Sequence, residues 1–187
     1  MSVEHNNIIQ AFQDGKVVLY PTDTIWGIGC LATNERAVER IYEIKERSND
    51  KSLILLVGDI KMLQKYVPNL SVKVIDIINH YPRPITVVYN DTIHLPDYLK
   101  AADGSIAIRI TNDDFCKRVI KRLNEPIIST SANRSGEPTA PIFSTITPYI
   151  KNSVDYIETY RQDYTTIHAP STVAKINEAG EMLILRP

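Results

Sequence analysis

Ile127-Ile128-Ser129-Thr130-Ser131-Ala132-Asn133-Arg134-Ser135-Gly136-Glu137-Pro138-Thr139 is the stretch on which the architecture turns. A short apolar run empties into hydroxyls, an amide, a glycine and a proline. That pattern predicts a buried strand whose carboxyl end opens into a polar loop, the place where open α/β sheets bind ligands. The same residues also suit a turn whose side chains solvate its own backbone. The flanking segments must decide between the two.

Upstream, Ser105 to Ile110 alternates as a strand, and Asn112 to Leu123 reads as a helix. Leu53-Ile54-Leu55-Leu56-Val57 does not alternate, so it predicts a strand buried on both faces. Ile85 to Tyr89 is another strand, reached through Tyr81-Pro82-Arg83-Pro84, and residues 59–66 and 71–80 look helical. The clearest helix is 34–47, with Ala37, Val38, Ile41 and Ile44 as its apolar stripe and Asn34 as N-cap. Nearer the N-terminus, an amphipathic stretch from Ile8 to Phe12 stops at Asp14-Gly15, and a strand over 16–20 closes at Pro21. Downstream come a helix over 142–150 and strands near 154–157, 171–176 and 182–185. Strands and helices alternate without strict βαβ units. The expected class is α/β of the α+β type, a twisted mixed sheet flanked by helices.

At 187 residues the chain is expected to be one domain, 1–187, with a real core. A net charge of -1 argues against a surface covered in basic residues, and so against global nonspecific nucleic-acid binding. A local basic cleft stays open as a reading. Cys30 and Cys116 are far apart and outside any CxxC spacing, which suits a reduced, cytoplasmic chain. No signal segment precedes residue 10, and no apolar run nears the ~20 residues that span a bilayer, so no membrane is expected.

There is no P-loop signature, no HExxH and no Cys/His cluster. Gly27-Ile28-Gly29-Cys30-Leu31-Ala32 fits GxGxxA, but Pro21-Thr22-Asp23-Thr24 breaks the strand before it and the helix begins after Ala32, against a dinucleotide loop. In the strand to Ile110, Ser105, Ala107 and Arg109 share a face. Two small residues beside an arginine leave room for an anion, although a solvent-facing arginine fits the pattern too. Lys45 ends the apolar stripe of its helix, so it must snorkel or aim into a cleft; placement near a helix C-terminus is the blander account. With Arg47, Lys51 and Arg186 these residues form a basic, hydroxyl-rich set without an evident nucleophile, suited to holding phosphate and carboxylate.

Tyr20-Pro21-Thr22-Asp23-Thr24-Ile25-Trp26-Gly27-Ile28-Gly29, Lys45-Glu46-Arg47, Ser131-Ala132-Asn133 and Pro170-Ser171-Thr172-Val173 together resemble the YrdC/Sua5 family, in its short, YrdC-only bacterial form. The resemblance covers essentially the whole chain. Two departures stand out: Ser48 and Ser52 occupy positions where that family often has proline, and Arg83 replaces the glycine of a common Pro-Gly-Pro.

The resemblance implies a YrdC-like fold with a large concave basic cavity and threonylcarbamoyl-AMP synthase activity. L-threonine and bicarbonate (or CO2) give an N-carboxylated threonine that attacks the α-phosphorus of ATP, for the t6A modification of tRNAs reading ANN codons. It assigns Lys45, Arg47, Lys51, Ser131, Asn133 and Arg186 to the nucleotide, and Thr22, Arg109 and Ser171 to threonine. Ser105, Ser129 and Thr130 line the cleft between, the first two toward ATP and Thr130 toward threonine. Lys45, Arg47 and Arg109 are the catalytic set. Mg2+ would come with ATP, held by phosphates and water and not by a protein metal site. A downstream tRNA threonylcarbamoyltransferase complex is the implied partner. The alternatives are a YrdC-fold paralogue with another carbamoyl substrate, or a module binding double-stranded RNA or tRNA.

Overall fold

The computed structural model describes residues 4–48, 53–177, 179 and 181–187. In chain order the elements are α1 (Glu4–Gln13), β1 (Val18–Tyr20), β2 (Gly27–Gly29), α2 (Glu35–Ile44), β3 (Ile54–Val57), α3 (Ile60–Tyr66), α4 (Val72–His80), β4 (Ile85–Tyr89), β5 (Ile106–Ile110), α5 (Asp114–Leu123), β6 (Ile127–Ser131), α6 (Pro148–Ser153), β7 (Tyr156–Ile157), β8 (Thr172–Ile176) and β9 (Met182–Arg186). The strands form one sheet in the order β7-β1-β2-β6-β3-β5-β4-β8-β9. β3 with β5, β4 with β8 and β1 with β7 run parallel, while the other neighbours are antiparallel. The expected mixed sheet flanked by helices is the observed architecture, and β6 lies inside it between β2 and β3.

Local chemistry starts and stops the helices. The side chains of Asn34, Asp59, Ser71 and Asp113 each accept a hydrogen bond from the backbone N–H three residues on, so α2, α3, α4 and α5 begin at capped ends. α2 is shorter than the expected helix over 34–47. Glu46 adopts φ 48°, the Glu46 N–H donates to Glu43 and the Arg47 N–H donates to Tyr42, so the chain leaves the helix through a left-handed closing turn. A non-glycine residue there costs about 1 kcal/mol, and the turn redirects Arg47 and the residues after it. The predicted helix over 142–150 is broken. A 3-10 turn spans Phe143–Thr145, and α6 starts afresh with Pro148 in its first turn and Thr147 as cap. Proline removes an N–H and keeps the residue before it out of helical geometry, so one continuous helix could not form.

β2 went unforeseen, being three residues with two glycines where strands favour β-branched side chains. Gly29 explains itself by distance: a Cβ there would lie 2.0 Å from the Ile128 carbonyl oxygen and 2.8 Å from the Tyr20 ring. The GxGxxA pattern therefore serves close strand packing. Tyr20 itself is fully buried, edge-on to Phe12, with its hydroxyl donating to that same Ile128 carbonyl. Ile8, Phe12, Leu19, Ile28, Ile41, Leu55 and Ile120 belong to the main core, where α1 packs on α5.

Gly29→Ala is expected to destabilise the fold by about 3 kcal/mol, the upper range for overpacking. Gly58→Ala meets only ordinary contacts of 3.4 Å and should cost far less. Urea midpoints of the two variants check the difference.

Candidate active site

Cross-strand register sets Ser129, Ile54, Ala107, Val88 and Lys175 abreast on β6, β3, β5, β4 and β8. All five line one cavity of about 690 Å³. Two residues along, Arg109, Thr86, Val173 and Arg186 form a second row across β5, β4, β8 and β9. The sheet thus supplies an apolar floor with a basic row beside it. The walls are the segment from Thr22 to Gly27, Arg47 after α2, the loop after β6 and the turn at Pro170 and Ser171.

Arg109 sits on a central strand and is only 3% exposed, so the solvent-facing alternative does not apply. Its Nη1 donates to Asp23 Oδ1 at 3.0 Å and to Thr24 Oγ1 at 3.2 Å, while Nε–H has no hydrogen-bond partner among the described residues. Asp23 is fixed in turn by the Asn112 N–H. Arg186 reaches back to donate to the Ser171 carbonyl at 2.9 Å. Burial, and then the charges of Arg109 and Arg47, hold the Arg186 guanidinium below its ordinary pKa. Arg109 and Arg47 thus repel Arg186 across the cavity, and an anion beside Arg186 relieves that repulsion.

Several hydroxyls are already committed. Thr22 Oγ1 donates to the Ile25 carbonyl and accepts from the Thr24 N–H, knitting the loop before β2. Ser171 Oγ pairs with Thr86 Oγ1 at 2.8 Å. Ser105 Oγ donates to Asp103 at 2.5 Å, and the two bonds from Ser105 hold the Asp103 carboxyl below the usual carboxylate range.

Of the residues assigned from sequence, Thr22, Arg47, Ser105, Arg109, Ser129, Thr130, Ser131, Ser171 and Arg186 line the cavity. Lys51 lies outside the described residues. Lys45 and Asn133 sit behind the wall. Lys45 is 2% exposed, and its ammonium neither snorkels to solvent nor lines the cavity, unlike the expectation. It donates to the Ser131 carbonyl at 2.5 Å and the Asn133 carbonyl at 2.7 Å, while its own carbonyl accepts from the Ser135 N–H. Asn133 closes the same loop by donating to the Arg134 and Glu137 carbonyls, with Oδ1 buried and unpartnered among the described residues. The loop after β6 is therefore a turn built on a buried cation. Trp26, Asp103 and Lys175 also line the cavity without having been singled out. Period-two alternation from Ser171 through Val173 reaches Lys175 and could have found it.

Fold and wall together define a mixed α/β protein with a preformed anion-holding cavity. The family model described as "Telomere recombination" matches residues 10–187, and the chain belongs to this Sua5/YciO/YrdC family. It is 38% identical over 134 residues to a threonylcarbamoyl-AMP synthase of Pseudoalteromonas translucida, covering 70% of this chain and 72% of the relative. P. abyssi Sua5 complexed with L-threonine superposes with a TM-score of 0.81 at 25% identity; all of this chain matches 55% of that one. E. coli YciO, at 23% identity and TM-score 0.83, shares the fold over 97% of this chain and 87% of its own.

Burial, and then the Arg47 charge, lower the Lys45 pKa to about 8. Between about 8 and the ordinary lysine value, the unfolded chain holds a proton that the folded one has released. This group's penalty is complete below about 8, and stability rises with pH above it. The Lys45→Met variant should lack that rise, on the order of 3 kcal/mol, in the difference between the two unfolding free energies measured from pH 7 to 10.5.

Proposed function

We propose that residues 1–187 form a single YrdC-like domain acting as an L-threonylcarbamoyladenylate synthase. The observation that carries this reading is the convergence of Arg47, Arg109 and Arg186 on one cavity with a hydroxyl-lined wall at Ser129, Thr130 and Ser131. Asp103 is the one carboxylate among the described residues lining it. Such a wall has little means of activating a nucleophile and ample means of holding several anions together. The naming of relatives as threonylcarbamoyl-AMP synthases and the threonine complex of a Sua5 both support it.

The threonine amine and bicarbonate condense with loss of water to a carbamate. One carbamate oxygen then bonds to the α-phosphorus of ATP as the bond to the β-phosphate oxygen breaks, releasing pyrophosphate. The substrate supplies its own nucleophile, and the protein supplies alignment and charge. Arg109 offers a planar fork for the threonine carboxylate, with Thr22, Thr130 and Ser171 around it. Arg47, Arg186, Ser105, Ser129 and Ser131 face the nucleotide, with Lys45 and Asn133 holding the Ser131 loop in shape. No group of three or more His, Cys, Asp or Glu among the described residues could hold a metal ion. In this reading Mg2+ enters as part of the ATP substrate, on its phosphates. The adenylate product would pass to a tRNA threonylcarbamoyltransferase complex. None of the described helices is long and apolar enough to cross a membrane.

Pyrophosphate release should require ATP, L-threonine and bicarbonate together; release that ignores threonine overturns the reading. Arg109→Lys keeps the charge and loses the fork, so the threonine KM should rise roughly 10- to 100-fold. Arg186→Ala should raise the KM for ATP and leave that for threonine nearly unchanged.

A further inference from the structure

The cavity has a second polar end that these assignments leave unused. Lys175 lines it at the far side of the floor from Ser129 and also lines an adjoining cavity of about 560 Å³. Its ammonium lies 3.9 Å from Asp103 Oδ2, too far for a tight hydrogen bond, and both side chains are substantially exposed, at 42% and 60%. Asp103 is not loose: Ser105 holds its other oxygen through both backbone and hydroxyl, leaving Oδ2 directed at Lys175. A fixed acceptor thus stands beside a donor on a flexible stem, with space between them.

Position says what could occupy that space. From Ser129 to Lys175 the floor crosses four strand spacings, about 19 Å, long enough for an extended nucleoside triphosphate. The reacting α-phosphate has to lie near the centre, over Ala107 and beside Arg109, because threonine is held there. The pyrophosphate group then extends one way and the nucleoside the other. The Ser131 side carries Arg47 and hydroxyls. On the Lys175 side the lysine charge is offset by Asp103 and the floor and rim include Ala101, Ala102, Val88, Val173 and Leu185, while Arg186 on β9 reaches back to the Ser171 carbonyl and toward Arg109 and Arg47. Phosphates belong to the first side and the nucleoside to the second.

The geometry points to Asp103 and Lys175 as a clamp for the vicinal 2′- and 3′-hydroxyls of the ribose, making the site selective for ribonucleotides. Each sugar hydroxyl both donates and accepts. Asp103 Oδ2 accepts a hydrogen bond from one hydroxyl, as carboxylates do in nucleotide sites, and Lys175 donates to the neighbouring oxygen. The loose ion pair opens on binding, and the base continues toward the adjoining cavity. This inference rests on the ATP site proposed above.

The test is calorimetric binding of Mg-ATP, Mg-2′-deoxy-ATP and Mg-3′-deoxy-ATP to the full chain and to its Lys175→Met and Asp103→Asn variants, alongside pyrophosphate release. The unsubstituted chain should favour ATP over each deoxy analogue roughly 10- to 100-fold, the range of one hydrogen bond to a charged group. Either variant should compress that ratio to about threefold or less by weakening ATP while barely changing the analogues, and the threonine KM should hold. Asp103→Asn keeps an acceptor for Ser105, and Lys175→Met removes no other side-chain bond among the described residues, so both should fold. An unsubstituted chain without the preference, or variants that weaken all three nucleotides equally, overturns the clamp while leaving the synthase intact. A variant-sensitive ratio without threonine-dependent turnover supports the clamp and removes the synthase. Absence of ATP binding removes both.

Discussion

One buried ammonium holds the site together. Lys45 leaves the end of α2 and enters a pocket made by the Ser131 and Asn133 carbonyls. A charge this far from water is tolerated only when its hydrogen bonds are met, and here backbone oxygens meet them in place of a carboxylate. The loop after β6 is thereby bound to α2 at two carbonyls and, through Ser135, at an N–H as well. Arg47 lies two residues beyond the clamp, across the left-handed turn at Glu46. Loosening the clamp would move the cavity-lining Arg47 and a serine wall together, so α2 and β6 act as one support for the cavity.

The cavity is held in electrostatic tension. Arg109 is compensated by Asp23 from behind, while Arg186 is held below its ordinary pKa by burial and by the charges of Arg109 and Arg47. In the fold alone this is unfavourable, and it persists because the surrounding sheet fixes where the guanidinium groups can go. Binding a polyanion releases that repulsion, which gives the site affinity without new packing. Arg109 has a different standing: its ion pair makes it a rigid part of the wall, with its Nε–H unpartnered among the described residues. A group so fixed suits orientation of a small carboxylate better than capture of a mobile phosphate chain.

Much of this was legible from residue order. Alternation put Ser105, Ala107 and Arg109 on one face, and all three line the cavity. The unbroken apolar run at Leu53 to Val57 became a strand inside the sheet, and Asn34 marked the start of α2 as its cap. What resisted reading depended on distant partners. Nothing local says that Gly27-Ile28-Gly29 is a strand, because its reason is the Ile128 carbonyl a hundred residues away. The stripe set Lys45 on the inner side of α2, but nothing local says that its ammonium ends on carbonyls, since every residue type has one. Asp103 draws its meaning from Ser105 and Lys175, one of them on a strand paired two places across the sheet.

The scarcity of acid–base groups follows from the chemistry asked of the wall. A carbamate is already anionic, so a base placed beside it would add repulsion to a step that already joins two anions. The strongest barrier is bringing carbamate and triphosphate together, and fixed cations lower it directly by neutralising charge that is present throughout the approach. Hydroxyls at Ser129, Thr130 and Ser131 supplement those cations without carrying charge of their own. They can donate to whichever oxygen gains electron density as the bond to pyrophosphate lengthens. The cavity therefore accelerates by arrangement, and its dependence on arrangement explains why a lysine that never lines it still governs it.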